Sequence, residues 1–136
     1  MLKRFLTSLP QWFLSLLTVL AILWLTLAPR PLGDDPPQLF EGADKIVHGI
    51  MFGGLTAMLL LDWQRKHFWH EEKWFRALIY AVVASLFGIF IEFAQASMGL
   101  GRGLEVSDMI ADTIGSFIFA IIWMFLQNFW TVRMKK

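Results

Sequence analysis

The stretch ALIYAVVASLFGIFIEFAQASMG, residues 77–99, is a long apolar run whose only charged side chain is Glu92. A helix needs about 17 to 25 apolar residues to cross a hydrocarbon core of about 30 Å. Residues 77–99 satisfy both the length and the composition. They therefore predict a helix that spans a membrane.

Three further stretches have the same character. Residues 11–28 carry no charge, residues 46–62 are interrupted only by His48 before they end at Asp62, and residues 109–132 carry one charge, Asp112. With 57% apolar and 17% charged residues, the chain of 136 residues is too apolar for a soluble domain of its size. We expect an all-α fold: one membrane domain, residues 1–136, built as a bundle of four transmembrane helices.

The charge pattern predicts how this bundle is oriented. Nine of the twelve Lys and Arg residues lie in the N-terminus, in the loop between the second and third stretches, or in the C-terminal tail. Basic segments stay in the cytoplasm, so both termini are expected there, in a multi-pass protein of a bacterial inner membrane. Residues 28–30, Ala-Pro-Arg, offer no small-residue cleavage site, so the first helix is expected to remain as an anchor.

Composition also excludes several functions. The net charge of +1 argues against a nucleic-acid partner. The absence of Cys removes disulfides, thiolate metal sites and a Cys nucleophile. No motif implies a cofactor, and none has recognisable metal-ligand spacing. The remaining candidates for function are polar side chains near the membrane.

Polar residues cluster at the predicted outer ends of three helices. Spacings of three or four residues put those of each helix on one face. Ionisable groups in a membrane bundle face one another or a wet cavity, because exposure to lipid costs about 2.5 to 3.5 kcal/mol each. We therefore expect one pocket at the outer face. Its predicted residues are Asp44, Lys45, His48, Glu92, Gln95, Arg102, Asp108 and Asp112.

Within this pocket a single charge cluster is expected. Its predicted members are Glu92, Arg102, Asp108 and Asp112, with Asp44, Lys45 and His48 at the rim. Because Asp112 shares a helix face with Asp108, we expect Asp112 to be protonated or neutralised by Arg102 or Lys45. A simpler alternative is that Asp44 and Asp108 only stabilise the first turns of their helices.

Small residues at a spacing of four suggest where the helices touch. Gly49 and Gly53 form one such pair, and Ala111 and Gly115 form another. Small residues let helix backbones approach closely in a membrane. These two pairs predict a close-packed helix seam.

Three motifs together resemble a known family. They are DKIVH (44–48) leading into MFG (51–53), Glu92 and Gln95 followed by Arg102, and DMIADTIG (108–115). The chain resembles the VanZ-like membrane proteins over residues 44–119, a family named for the teicoplanin resistance protein. The chain departs from the family at Asp112, where Asn is usual, and at Phe119, where a small residue is often found.

The resemblance implies a bacterial inner-membrane protein, usually with four or five spans. Some members are linked to reduced susceptibility to glycopeptide or lipopeptide antibiotics. No reaction is settled for the family. The resemblance therefore supports the fold and the location and leaves the activity open.

Three classes of function remain. The favoured one is a binding module in which Lys45, His48 and Arg102 hold the headgroup of an anionic lipid or a cell-wall lipid, with glycines around Arg102 letting the backbone approach a phosphate. Membrane lipids, a lipid-linked cell-wall intermediate, or a glycopeptide or lipopeptide are the expected partners. The second class is an enzyme whose His48 and carboxylates act as a general base or bind a divalent metal, for hydrolysis or transfer at a lipid headgroup. The third is a structural component that relays protons through its carboxylates.

Overall fold

Five α-helices form the regular structure of the computed structural model, which describes residues 1–35, 37, 39–99 and 101–136. They are α1 (Leu2–Ser8), α2 (Phe13–Leu27), α3 (Ala43–Lys66), α4 (Trp74–Ser97) and α5 (Val106–Lys135). No strand occurs among these described residues. The predicted all-α fold is confirmed.

The helix bounds differ from the apolar stretches that predicted them. Helices α3, α4 and α5 begin at residues 43, 74 and 106 rather than at 46, 77 and 109, and α3 and α5 also run past residues 62 and 132. Hydropathy marks only the part of a helix that lies in hydrocarbon. Charged side chains at the membrane surface are compatible with a helix that continues beyond it, and most of them are good helix formers.

The first predicted span, residues 11–28, is one helix, α2, although it is slightly shorter than predicted. A short helix that was not predicted, α1, precedes it, and the two meet at a bend of 76°. Pro10 lies at the break, and Leu9 before it is extended, as the residue preceding a proline tends to be. Helices α3, α4 and α5 are long and apolar enough to span a membrane, and the bent pair makes a fourth span if it is counted as one.

A buried arginine of α3 holds this break in place. Arg65 donates hydrogen bonds to three backbone carbonyls of the α1–α2 segment. They belong to Leu6, Leu9 and Pro10. Its Nε also lies 2.6 Å from Asp62 Oδ1, while Asp62 Oδ2 accepts a hydrogen bond of 2.7 Å from Ser15 Oγ. Pro10 has no N–H to offer the carbonyl of Leu6, and Arg65 satisfies this carbonyl together with two others at the break.

Basic segments that are far apart in the sequence meet at one end of the bundle. Lys3, Lys66 and Lys135 line one pocket there, beside Arg65. Acids gather at the other end of α3, where Asp44 lies in the first turn and Glu105 and Asp108 lie close to it around Lys45. The separation of charge that the sequence shows is therefore also a separation in space.

The outer surface of the helices is largely apolar, unlike the surface of a soluble protein. Large apolar side chains point outward, among them Phe90, which is 60% exposed, and Phe125, which is 73% exposed. The interior contains small alanines of α4 and several polar residues beside large apolar side chains such as Phe52 and Leu60. A surface of this kind is stable against lipid, where large apolar groups need no cover and small residues allow close packing.

Helices α3 and α5 approach each other closely at a pair of glycines. A Cβ atom on Gly115 would overlap the backbone carbonyl oxygen of Gly49, and one on Gly49 would lie 3.4 Å from the carbonyl oxygen of Ala111. Gly53, one turn along α3, lies against the ring of Phe119. The predicted seam of small residues is confirmed.

Replacement of Gly115 by Ala tests this seam. The new methyl group of Gly115→Ala has no space. The variant should therefore lower the free energy of unfolding by about 1 to 3 kcal/mol or more, since this is the usual cost of overpacking. Gly54→Ala is the matched control, since a Cβ at Gly54 meets no atom within 4 Å. Thermal unfolding in mild detergent should show a lower midpoint for Gly115→Ala alone. Equal midpoints for the two variants would contradict the seam.

Candidate functional site

A pocket of about 520 Å³ opens at the end of the bundle where α3 and α5 begin and α4 ends. Six of the predicted pocket residues line it: Asp44, His48, Glu92, Gln95, Arg102 and Asp108. Lys45 and Asp112 contact these residues from outside the lining. Apolar side chains form the rest of the wall, including Leu25, Leu32, Leu39 and Met51. The pocket therefore combines a charged floor with an apolar side.

Lys45 joins the start of α3 to the start of α5. Its Nζ lies 2.8 Å from Asp108 Oδ1, 2.9 Å from Glu105 Oε2 and 2.7 Å from Asp44 Oδ2. Three carboxylates thus share one ammonium group. Lys45 is held by these acids as part of the protein's own charge network.

His48 lies one turn deeper, between two carboxylates of α5. Its Nδ1 is 2.9 Å from Asp112 Oδ1, and its Nε2 is 3.6 Å from Asp108 Oδ2. When Nδ1 donates to Asp112, the opposite nitrogen, Nε2, faces Asp108 and the pocket. The bond to Asp112 therefore fixes the orientation of the imidazole ring.

Asp112 was predicted to be either protonated or neutralised by Arg102 or Lys45. The second alternative is wrong, because its partner is His48, and the first stays a prediction. Asp112 is fully buried and lies one helical turn below Asp108, at the depth that His48 reaches from α3. On its other side Asp112 lies against Gly88 of α4, where a Cβ atom would be 2.6 Å from Asp112 Oδ2. Lys45 contacts the carboxylate one turn above Asp112, that of Asp108.

Arg102 is outside the charge cluster that the sequence predicts. Its Nη1 donates a 2.7 Å hydrogen bond to the carbonyl oxygen of Thr26, which also accepts a 2.8 Å bond from Gln95 Nε2. Within the described part of the chain Arg102 forms no ion pair with a carboxylate. Thr26 lies in the last turn of α2, where carbonyls lack helical partners and attract donors.

Glu92 of α4 is the most deeply buried carboxylate that lines the pocket. It is 1% exposed, and its Oε2 accepts a 3.2 Å hydrogen bond from the backbone N–H of Glu105. Its other oxygen, Oε1, has no hydrogen-bond partner among the described residues. Asp108 Oδ1 and Asp112 Oδ2 likewise have no hydrogen-bond partner there, although Asp108 Oδ1 lies 2.8 Å from the ammonium of Lys45.

Two groups of side chains have the donor atoms and the proximity to hold a metal ion. One is His48, Glu92 and Asp108, whose donor atoms all lie within 4.8 Å of one another. The other is Asp44, Glu105 and Asp108. The ammonium group of Lys45 already contacts all three acids of the second group.

Two members of the site were missed at the level of sequence. The side chain of Glu105 pairs with Lys45, and its backbone N–H donates a hydrogen bond to Glu92. Its position three residues before Asp108 was an available signal. Thr26 contributes through its backbone carbonyl. No sequence pattern singles out a carbonyl oxygen, so Thr26 could not have been found in advance.

Substitution of Asp112 tests its bond to His48. Asp112→Asn should keep nearly the wild-type thermal stability, because the amide oxygen can accept from Nδ1–H as the carboxylate does. Asp112→Leu should lose about 1 to 3 kcal/mol, since it leaves a polar ring nitrogen without its partner. Thermal unfolding in detergent at pH 5 to 9 distinguishes the two variants. Equal losses for Asn and Leu would show that the site requires the acid itself.

Comparison with known families gives a match over most of the chain. The family model for VanZ/LLP1 matches residues 5–127. This range extends beyond residues 44–119, which carry the resemblance in sequence motifs, and it includes every residue of the pocket. No curated protein and no solved structure matches the chain. On the strength of the family match, the chain belongs to the VanZ/LLP1 family.

Proposed function

We propose that this protein binds the phosphorylated headgroup of a cell-envelope lipid in the pocket formed by α3, α4 and α5. The observation that carries the proposal is Arg102, a pocket-lining guanidinium that forms no ion pair with a carboxylate within the described residues. Among the residues that the structure describes, Arg102 forms one hydrogen bond, to Thr26, and its other N–H donors have no partner. Guanidinium groups match the geometry of phosphate oxygens well.

The roles of the three cations differ from those that the sequence suggested. Lys45 and His48 are each engaged by carboxylates, so the proposal assigns the phosphate to Arg102 alone. Gly99 and Gly101, which precede Arg102 in the chain, have φ angles of 65° and 75°. These left-handed conformations suit glycine and leave the backbone open to a ligand.

The apolar part of the pocket favours a lipid over a water-soluble phosphate compound. Leu32 and Leu39 are 61% and 69% exposed, and both line the pocket beside Leu25 and Met51. Apolar side chains next to a charged floor suit an amphiphile, whose chain covers the leucines while its headgroup reaches Arg102. An acyl or polyprenyl chain has this character.

The proposal places the pocket at the outer face of a bacterial inner membrane, with both termini in the cytoplasm. Its support is the gathering of Lys3, Lys66 and Lys135 at the opposite end of the bundle, together with the tendency of basic segments to remain inside. In this orientation a lipid-linked cell-wall intermediate could enter from the outer leaflet. Such binding would connect the protein to the antibiotic phenotypes of its family.

A second candidate is an enzyme acting at the same headgroup. The observation that favours it is the pair formed by His48 and Asp112 at 2.9 Å, because a carboxylate that orients an imidazole is a common arrangement for a general base. In this case Nε2 would accept a proton from a water or a hydroxyl group in the pocket. Hydrolysis of a co-purified lipid would distinguish this function from binding.

Native mass spectrometry of the purified chain in mild detergent, with added phosphatidylglycerol as the probe, tests the binding proposal. Arg102→Ala should reduce the lipid-bound fraction about tenfold or more, because a hydrogen bond to a charged group contributes about 1.5 to 3 kcal/mol. Arg102→Lys should retain part of the binding. Arg30→Ala is the matched control, since Arg30 is exposed and pairs with Asp34. Equal retention in the two alanine variants would refute the assignment.

A further inference from the structure

The floor of the pocket contains more negative charge than the protein itself neutralises. Five carboxylates lie there or directly behind it: Asp44, Glu92, Glu105, Asp108 and Asp112. The one ammonium group among them is that of Lys45, and the guanidinium of Arg102 points to a backbone carbonyl. Unpaired charge in a partly buried site is costly, and a further cation bound among these carboxylates would offset that cost.

We propose that His48, Glu92 and Asp108 bind a divalent metal ion of the Mn²⁺ or Zn²⁺ type. The three ligands come from α3, α4 and α5, and their donor atoms lie within 4.8 Å of one another. Bonds of about 2.0 to 2.2 Å allow donors on opposite sides of an ion to lie roughly 4.2 Å apart. Small side-chain rotations therefore close the site around an ion.

His48 is already oriented as a metal ligand. Its Nδ1 contacts Asp112 Oδ1 at 2.9 Å, and Nε2 faces Asp108 Oδ2 at 3.6 Å. Metal-binding histidines commonly donate their other N–H to a carboxylate, which fixes the tautomer and raises the basicity of the ligating nitrogen. Asp112 acts here as the positioning residue for His48.

Glu92 supplies an independent indication of a ligand. The side chain is 1% exposed, yet Oε1 has no hydrogen-bond partner among the described residues. An ionised carboxylate oxygen that is buried without a partner is unfavourable, and a neighbouring positive charge lowers that cost. A cation beside His48 would provide that charge. The ammonium of Lys45 contacts Asp108 through Oδ1, which leaves Oδ2 for the ion.

The donor set indicates the class of ion. One imidazole nitrogen and two carboxylate oxygens suit Zn²⁺ or Mn²⁺ better than Mg²⁺ or Ca²⁺, which prefer oxygen ligands throughout. Three protein ligands also leave coordination positions open toward the pocket. An ion there would bridge the floor to a phosphate held by Arg102. This bridge rests on the proposed function, whereas binding of the ion itself does not.

Electron paramagnetic resonance of Mn²⁺ with the full chain in detergent tests the site directly. Wild type should bind one Mn²⁺ per chain, Zn²⁺ should displace it, and excess Mg²⁺ should not. Glu92→Gln should weaken Mn²⁺ binding by at least about tenfold, as loss of a metal-site interaction typically does. The matched control is Glu41→Gln, an exposed acid outside the pocket, which should bind as wild type does. Absence of bound Mn²⁺ in wild type, or equal binding by the two variants, overturns the proposal.

Thermal unfolding keeps the test informative if Glu92→Gln changes folding. Without metal this variant should be at least as stable as wild type, because it removes a buried charge. Added Mn²⁺ should raise the unfolding temperature of wild type and of Glu41→Gln, and it should leave Glu92→Gln unchanged. An equal rise in all three chains would mean that the ion binds elsewhere.

Two further arms separate the ion from the headgroup. Arg102→Ala should still bind Mn²⁺, because Arg102 is not a ligand of the ion. If this variant binds Mn²⁺ and also binds lipid as wild type does, the headgroup assignment alone is refuted. Loss of lipid from Arg102→Ala, without Mn²⁺ binding by wild type, would refute the ion alone. Dihexanoyl phosphatidic acid should alter the bound Mn²⁺ spectrum more strongly than inorganic phosphate does, if the phosphate belongs to a lipid. An equal response to both would identify free phosphate as the ligand.

Discussion

The contact between α3 and α5 determines where the charged groups of the pocket lie. At Gly49 and Gly115 the two backbones touch, and no side chain separates them. This approach brings His48 to Asp112, which is completely buried and could not remain there without a polar partner. One turn higher, the same approach brings Lys45 to Asp108. The helix seam and the charge network therefore depend on each other.

Helix α4 completes the site for a similar reason. Gly88 leaves room for Asp112, so α4 can lie close enough to add Glu92 to the floor. Helix α2 contributes the carbonyl of Thr26, which fixes Arg102 and Gln95 at the rim. The result is a pocket with a carboxylate-rich floor, one arginine at its edge and apolar walls. This combination underlies both the headgroup and the metal-ion proposals.

Most of the fold could be predicted because hydropathy is a local property. The apolar stretches located the three long helices, and the small residues located the seam. The short helix α1 and its bend into α2 were not predicted. Pro10 is a local signal for a helix boundary, but the sequence does not show that Arg65, far away along the chain, satisfies the carbonyls at the break. The site was predicted in its members but not in its pairings. Helical spacing showed that Asp112 faces a polar region. Which side chain contacts it depends on how deeply each side chain of α3 lies in the bundle, and spacing did not show that His48 lies at the depth of Asp112.

Nitrogen-15 NMR of the protein labelled at histidine tests the central claim, that the His48–Asp112 bond joins α3 to α5 and directs Nε2 toward the pocket. We expect a proton on Nδ1 of His48 that exchanges slowly with water and that loses this protection in Asp112→Leu. The exposed His67 and His70 provide an internal reference, because their protons should exchange rapidly in both proteins. A His48 ring without a proton on Nδ1, or a signal that is unchanged in Asp112→Leu, would contradict the account.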